Sequence, residues 1–111
     1  MLRVGAWSED IQLCNQLAVM CFENNFKIIF IDQIEQGPGD FDYVVLDIDL
    51  DMNLAMGMCE KYSKSNCKIF AVTAMPKKSI ILEAKKMGCL MVLTKSNFAA
   101  NLSDIISKSK V

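Results

Sequence analysis

Three residues of this chain have side chains suited to handling a charged group, and each stands at the end of an apolar run. Asp47 follows Tyr43-Val44-Val45-Leu46, Thr73 closes Lys68-Ile69-Phe70-Ala71-Val72, and Lys95 follows Leu90-Met91-Val92-Leu93-Thr94. Ser8, Glu9 and Asp10 come directly after another such run, Leu2-Arg3-Val4-Gly5-Ala6-Trp7. A carboxylate, a hydroxyl, an ammonium and further acids are the groups that phosphoryl transfer to a protein carboxylate requires. The carboxylate attacks phosphorus, a hard divalent cation neutralises phosphate oxygens, and the lysine and hydroxyl hold the rest. Taken singly, each residue has a plainer role. An aspartate at a strand end can simply cap a loop, and the side chains of Asp49 and Asp51 read as solvated loop charges. Asp47 differs from those two because it alone directly ends the buried run.

Such residues need a scaffold that gathers strand ends. The run 43–46 is too short for a helix and lacks polar alternation, as in a strand buried on both faces of a parallel sheet. Further strands are predicted at 2–7, 27–31, 68–73 and 90–94. Between them lie helical patterns. One covers 9–23, with Ser8 as N-cap, two acids in its first turn, and Leu13, Leu17, Met20 and Cys21 on its inner face. A second covers 53–64, capped by Asn53 and burying Ala55, Met58, Cys59 and Tyr62. A third has Pro76 in its first turn, Ile80, Ile81, Ala84 and Met87 inside, and Gly88 just past its end. The last starts near Ser96 or Asn97 and buries Phe98, Leu102, Ile105 and Ile106. Residues 32–36 allow barely one helical turn before Gly37-Pro38-Gly39, so the helix after the second strand is short or missing.

Strands alternating with helices predict an α/β fold, a doubly wound five-stranded parallel sheet of order 2-1-3-4-5, flavodoxin-like in topology. Ligands of such sheets bind beyond the carboxyl ends of the strands, at the switch point between strands one and three. That topology brings Asp47, Thr73 and Lys95 into one crevice, with Glu9 and Asp10 on its rim.

The 111 residues suffice for a single domain, 1–111, with one proper core. A net charge of −1 provides no basic field for nucleic acid or an anionic membrane. The chain has no histidine, which excludes a Cys–His catalytic pair and argues against zinc. Its five cysteines form no Cys-x-x-Cys pair and read as reduced core thiols, fitting a cytoplasmic location. No apolar run is long enough to span a bilayer. No glycine cluster joins the first strand to its helix, which disfavours a nucleotide-phosphate loop and a flavin-type cofactor.

In these motifs, and over nearly its whole length, the chain resembles the receiver domains of bacterial response regulators. The likeness rests on Val44-Val45-Leu46-Asp47, Thr73-Ala74, Met87-Gly88-Cys89 leading to Leu93-Thr94-Lys95, and the turn from Lys95 to Leu102. It implies Asp47 as phosphoacceptor, Thr73 as the hydroxyl that reports phosphorylation and Lys95 as the phosphate-contacting lysine. It also implies Mg²⁺ held by Glu9, Asp47 and the backbone carbonyl of Asp49. Such a domain catalyses its own phosphorylation and dephosphorylation and has no separate substrate activity. The partners implied are a histidine kinase or phosphotransfer protein, and a downstream protein meeting the face of the family's fourth helix, fifth strand and fifth helix. Four departures point to the alternative of a phosphorylation-independent pseudo-receiver, a protein-interaction module. Ser8 stands for a metal-binding acid, Ser96 for a proline, Val92 for the switch aromatic, and the loop after Asp47 lacks the family's proline and glycine.

Overall fold

Alternation along three central strands divides the apolar residues between two cores. Val4, Ala6, Tyr43, Val45, Phe70 and Val72 face one side of the sheet, while Trp7, Val44, Leu46, Ile69 and Ala71 face the other. The period-two geometry of a strand requires this division, and helices must then cover both faces. The structure is a computed structural model, and it describes residues 2–31 and 41–109.

Five strands, β1 (Arg3–Trp7), β2 (Lys27–Phe30), β3 (Tyr43–Asp47), β4 (Lys68–Thr73) and β5 (Met91–Thr94), form one parallel sheet in the order β2-β1-β3-β4-β5. The register pairs Val4 with Tyr43 and Trp7 with Leu46, then Asp47 with Val72 and Thr73 with Thr94. It is the expected doubly wound arrangement, with Asp47 at the centre of the sheet's carboxyl edge. Val44, Val45 and Leu46 are almost wholly buried. Burial of each is worth about 1.5–3 kcal/mol, which makes β3 a rigid platform.

Four helices are present among the described residues: α1 (Ile11–Glu23), α2 (Met52–Ser63), α3 (Lys78–Lys86) and α4 (Lys95–Ser109). Leu13, Leu17, Met20 and Cys21 of α1 pack with Phe98 and Leu102 of α4 on one face; Ala55, Met58, Cys59 and Tyr62 of α2 pack with Ala84 of α3 on the other. Ile105 is half-buried against its core, while the Ile106 side chain and the single turn expected at 32–36 lie outside the described residues.

Helix starts differ from expectation, for α1 and α2 because a different side chain satisfies the free N–H groups. α1 begins at Ile11, since the Asp10 carboxylate, not the Ser8 hydroxyl, accepts from the Leu13 N–H at 3.1 Å. α2 begins at Met52, with Asp51 accepting from the Leu54 N–H at 3.0 Å; Asn53 is inside the helix, and Asp51 is a cap, not a free loop charge. α3 begins at Lys78 after an extended Lys77, so Pro76 precedes the helix. α4 begins at Lys95 itself, with no loop after β5.

Two glycines are required by their neighbours. A Cβ on Gly5 would lie 2.9 Å from the Phe41 ring. Gly88, just past α3, has φ +104°, and a Cβ there would meet that of Ser63 at 2.4 Å.

Candidate functional site

β3 delivers Asp47 to the carboxyl edge of the sheet with only 2 % of its surface exposed. A buried carboxylate is costly unless it is paired and hydrogen-bonded, and here three donors meet it. The Ser8 hydroxyl donates to Oδ2 at 2.6 Å, Lys95 Nζ lies 3.0 Å from the same oxygen, and the Asp49 N–H donates to Oδ1 at 3.0 Å.

The last of these bonds shapes the loop after β3. An aspartate accepting from the N–H two residues on makes a tight side-chain turn. The turn is reinforced by the Ile48 N–H donating to the Val72 carbonyl at 3.0 Å and by burial of Ile48 in the core. Asp49 is thereby turned back over the strand ends. The Thr73 hydroxyl donates to Asp49 Oδ1 at 2.7 Å and the Ala74 N–H to Oδ2 at 2.8 Å. Asp49 is therefore a component of the site, contrary to its reading as a solvated charge. Thr73 is itself 2 % exposed.

Lys95 unites the acids. Its Nζ lies 3.4 Å from Asp10 Oδ2, 3.0 Å from Asp47 Oδ2 and 3.3 Å from Asp49 Oδ2. Burial works to lower the lysine's pKa, but the Asp47 and Asp49 carboxylates outweigh it and raise it above the ordinary value. Burial works to raise the Asp49 carboxyl, and the bonds from Thr73, Ala74 and Lys95 bring it below its ordinary value. The Leu13 N–H, with Lys95, lowers Asp10.

The structure places Asp47, Thr73 and Lys95 at the ends of β3, β4 and β5, and brings Asp47 and Lys95 into contact. Thr73 reaches the group through Asp49. Glu9 is exposed, on the rim. The roles of Asp49 and Ser8 are the ones sequence reading missed. The available signal was spacing: an aspartate two residues beyond a strand-ending aspartate suits a side-chain turn that folds it back.

Mg²⁺ takes near-octahedral oxygens at about 2.1 Å, usually including one or two free carboxylates. Here the Asp47 oxygens are engaged by a hydroxyl, an ammonium and an amide. Among the described residues no group of three or more acids, cysteines or histidines is arranged to hold a metal ion. This donor set as arranged does not fit Mg²⁺: Ser8 supplies a proton where a second carboxylate would supply an oxygen, and Lys95 lies against the Asp47 oxygen that Ser8 also contacts. Beside Lys95 lies an open crevice of about 450 Å³, lined by Asp10, Gln16, Ala74 and Ser96 among others.

No family model matches the chain, and no curated protein matches it in sequence. Solved structures match its fold closely. A two-component response regulator from Clostridium difficile has 22 % identity and a TM-score of 0.79, over 99 % of this chain and 93 % of that one. A CheY-like response regulator receiver domain protein from Methanospirillum hungatei JF-1 has 14 % identity and a TM-score of 0.79, over 98 % and 93 %. A response regulator from Thermotoga maritima has 13 % identity and a TM-score of 0.75, over 96 % and 98 %. The chain has the receiver fold. Among its described residues no helix is long and apolar enough to cross a membrane.

Proposed function

We propose that this chain is a signal-transduction receiver that works without phosphorylation, as a protein-interaction module. The observation that carries the reading is the set of donors that the chain itself places on Asp47. Both of its oxygens are occupied by Ser8, Lys95 and the Asp49 amide, and one ammonium serves three carboxylates. The receiver fold of the similar structures supports the signalling role. The partner surface is the face of α3, β5 and α4, which corresponds to the family's fourth helix, fifth strand and fifth helix. On α3, β5 and the residues flanking them, Lys77, Lys78, Lys85 and Lys86 are exposed, as are Leu82, Leu90 and Met91. Cations bordering apolar side chains suit a partner with an acidic, partly apolar surface. The test is capture of such a partner by wild type and by Asp47→Asn. Equal affinity is expected, and a tenfold loss in Asp47→Asn contradicts the reading.

A second reading is favoured by the Asp47 oxygen that Lys95 does not contact: Oδ1 takes the Asp49 N–H, a carboxylate oxygen can accept a further partner, and an open crevice lies beside Lys95. On that reading a histidine kinase or phosphotransfer protein supplies the phosphoryl group. An Asp47 oxygen attacks phosphorus, the bond from phosphorus to the donor breaks, and the donor leaves with the electron pair. Lys95 holds the charge that develops on the phosphoryl oxygens. A phosphorylation-sized mass increase with a small-molecule phosphodonor and added Mg²⁺, absent in Asp47→Asn, would establish it.

A further inference from the structure

Asp49 gathers more donors than a loop carboxylate needs. Its Oδ1 accepts from the Thr73 hydroxyl at 2.7 Å; its Oδ2 accepts from the Ala74 N–H at 2.8 Å and lies 3.3 Å from Lys95 Nζ. Thr73 and Lys95 are the residues that the receiver resemblance assigns to reading a phosphoryl group on Asp47. A carboxylate and a phosphoryl group present the same kind of acceptor oxygen, and both take charge-assisted hydrogen bonds from such donors. Asp49 is tethered two residues from Asp47, so its carboxylate reaches these donors as an intramolecular partner. The hydroxyl is also fixed from its other side, because the Met75 N–H donates to Thr73 Oγ1 at 3.3 Å. The loop from β4 into α3 is thus tied to Asp49 at three successive residues, through Thr73, Ala74 and, by way of Thr73, Met75.

We infer that Asp49 is a built-in substitute for the phosphoryl group, a positioning residue whose carboxylate holds Thr73 and the β4–α3 loop permanently in the anion-engaged position. The inference rests on the receiver reading of Thr73 and Lys95. Its consequence is a partner face presented in one state, with no modification needed to set it.

The test is amide hydrogen exchange and ¹H–¹⁵N chemical shifts of the whole chain in wild type and variants. In Asp49→Ala the Ala74 amide exchanges at least tenfold faster, and the shifts of the β4–α3 loop and the start of α3 move with it. Asp49→Asn, which keeps one acceptor oxygen, gives a smaller change in the same direction, and it decides the matter if Asp49→Ala does not fold. Thr73→Val shifts the Met75 amide, while Thr73→Ser restores it because the hydroxyl is kept. Asp51→Ala, which removes a helix cap on the same loop, leaves the Ala74 amide at its wild-type rate. Ala74 exchange within twofold of wild type in the Asp49 variants overturns the inference, as does an equal effect from Asp51→Ala. These readouts need no partner and no phosphodonor. A phosphorylated Asp47 beside an Ala74 amide still protected by Asp49 contradicts the proposed function alone; an unprotected Ala74 beside an unmodified Asp47 contradicts the Asp49 inference alone.

Discussion

Ser8 and Lys95 both contact Asp47 Oδ2 at a side chain that is almost wholly buried, and their removal has unequal costs. Ser8→Ala loses one hydrogen bond to a charged group, about 1.5–3 kcal/mol, while the lysine still balances the carboxylate. Lys95→Ala leaves a nearly buried carboxylate without its cation, and the loss is larger, about 3–5 kcal/mol. Urea unfolding of the two variants checks the order; a Ser8→Ala loss equal to or above that of Lys95→Ala contradicts it. The same groups set the pH profile. Lys95 has its pKa raised above 10.5 in the folded chain, so its contribution is full below that value and is lost as pH rises through the folded value. Asp10 and Asp49 are lowered below 3.8, so theirs is present above that value and is lost as pH falls through the folded values. With no histidine in the chain, the contribution of Lys95, Asp10 and Asp49 is flat from about pH 5 to about pH 9. The urea midpoint of wild type across that range tests it, and a midpoint that changes steeply near neutrality contradicts it.

At the scale of elements, what could be read beforehand depended on what physical signal each feature leaves in one dimension. Buried strands announce themselves by unbroken apolar runs, so β1, β3 and β4 and the residues Asp47 and Thr73 at their ends were legible. Helix faces were legible through spacing, as with Leu13, Leu17, Met20 and Cys21 of α1. Helix starts were not, because several polar residues compete for the free N–H groups and three-dimensional neighbours decide the winner. Asp47 engages Ser8, which leaves Asp10 to cap α1; Asp51 lies in the extended conformation from which its carboxylate reaches Leu54, which leaves Asn53 inside α2. Asp49 was hidden for a related reason: a turn that swings a side chain back over a sheet has no periodicity. Two close contacts between elements also make predictions. Gly88→Ala places a Cβ at positive φ against Ser63, which ties the end of α3 to the end of α2, and Gly5→Ala drives a methyl into the Phe41 ring. Each is expected to destabilise by about 1–3 kcal/mol, Gly88→Ala the more, since its strain and its clash add. Thermal unfolding of both variants reads this, and wild-type stability in Gly88→Ala contradicts it.

The whole molecule presents a receiver fold in which the carboxyl ends of the strands carry a network of the chain's own polar side chains. The doubly wound sheet collects the ends of β1, β3, β4 and β5, and this chain fills the shared crevice with a hydroxyl, a lysine and a folded-back aspartate. Asp49 takes hydrogen bonds from Thr73 and Ala74, and Lys95 lies within 3.3 Å of it. On the function proposed above, the α3–β5–α4 face is presented in one state without modification. The intact mass of the protein after incubation with a small-molecule phosphodonor and millimolar Mg²⁺, measured beside Asp47→Asn, tests that claim most directly. The account predicts no mass change in either protein. A phosphorylation-sized increase in wild type that Asp47→Asn lacks would contradict it.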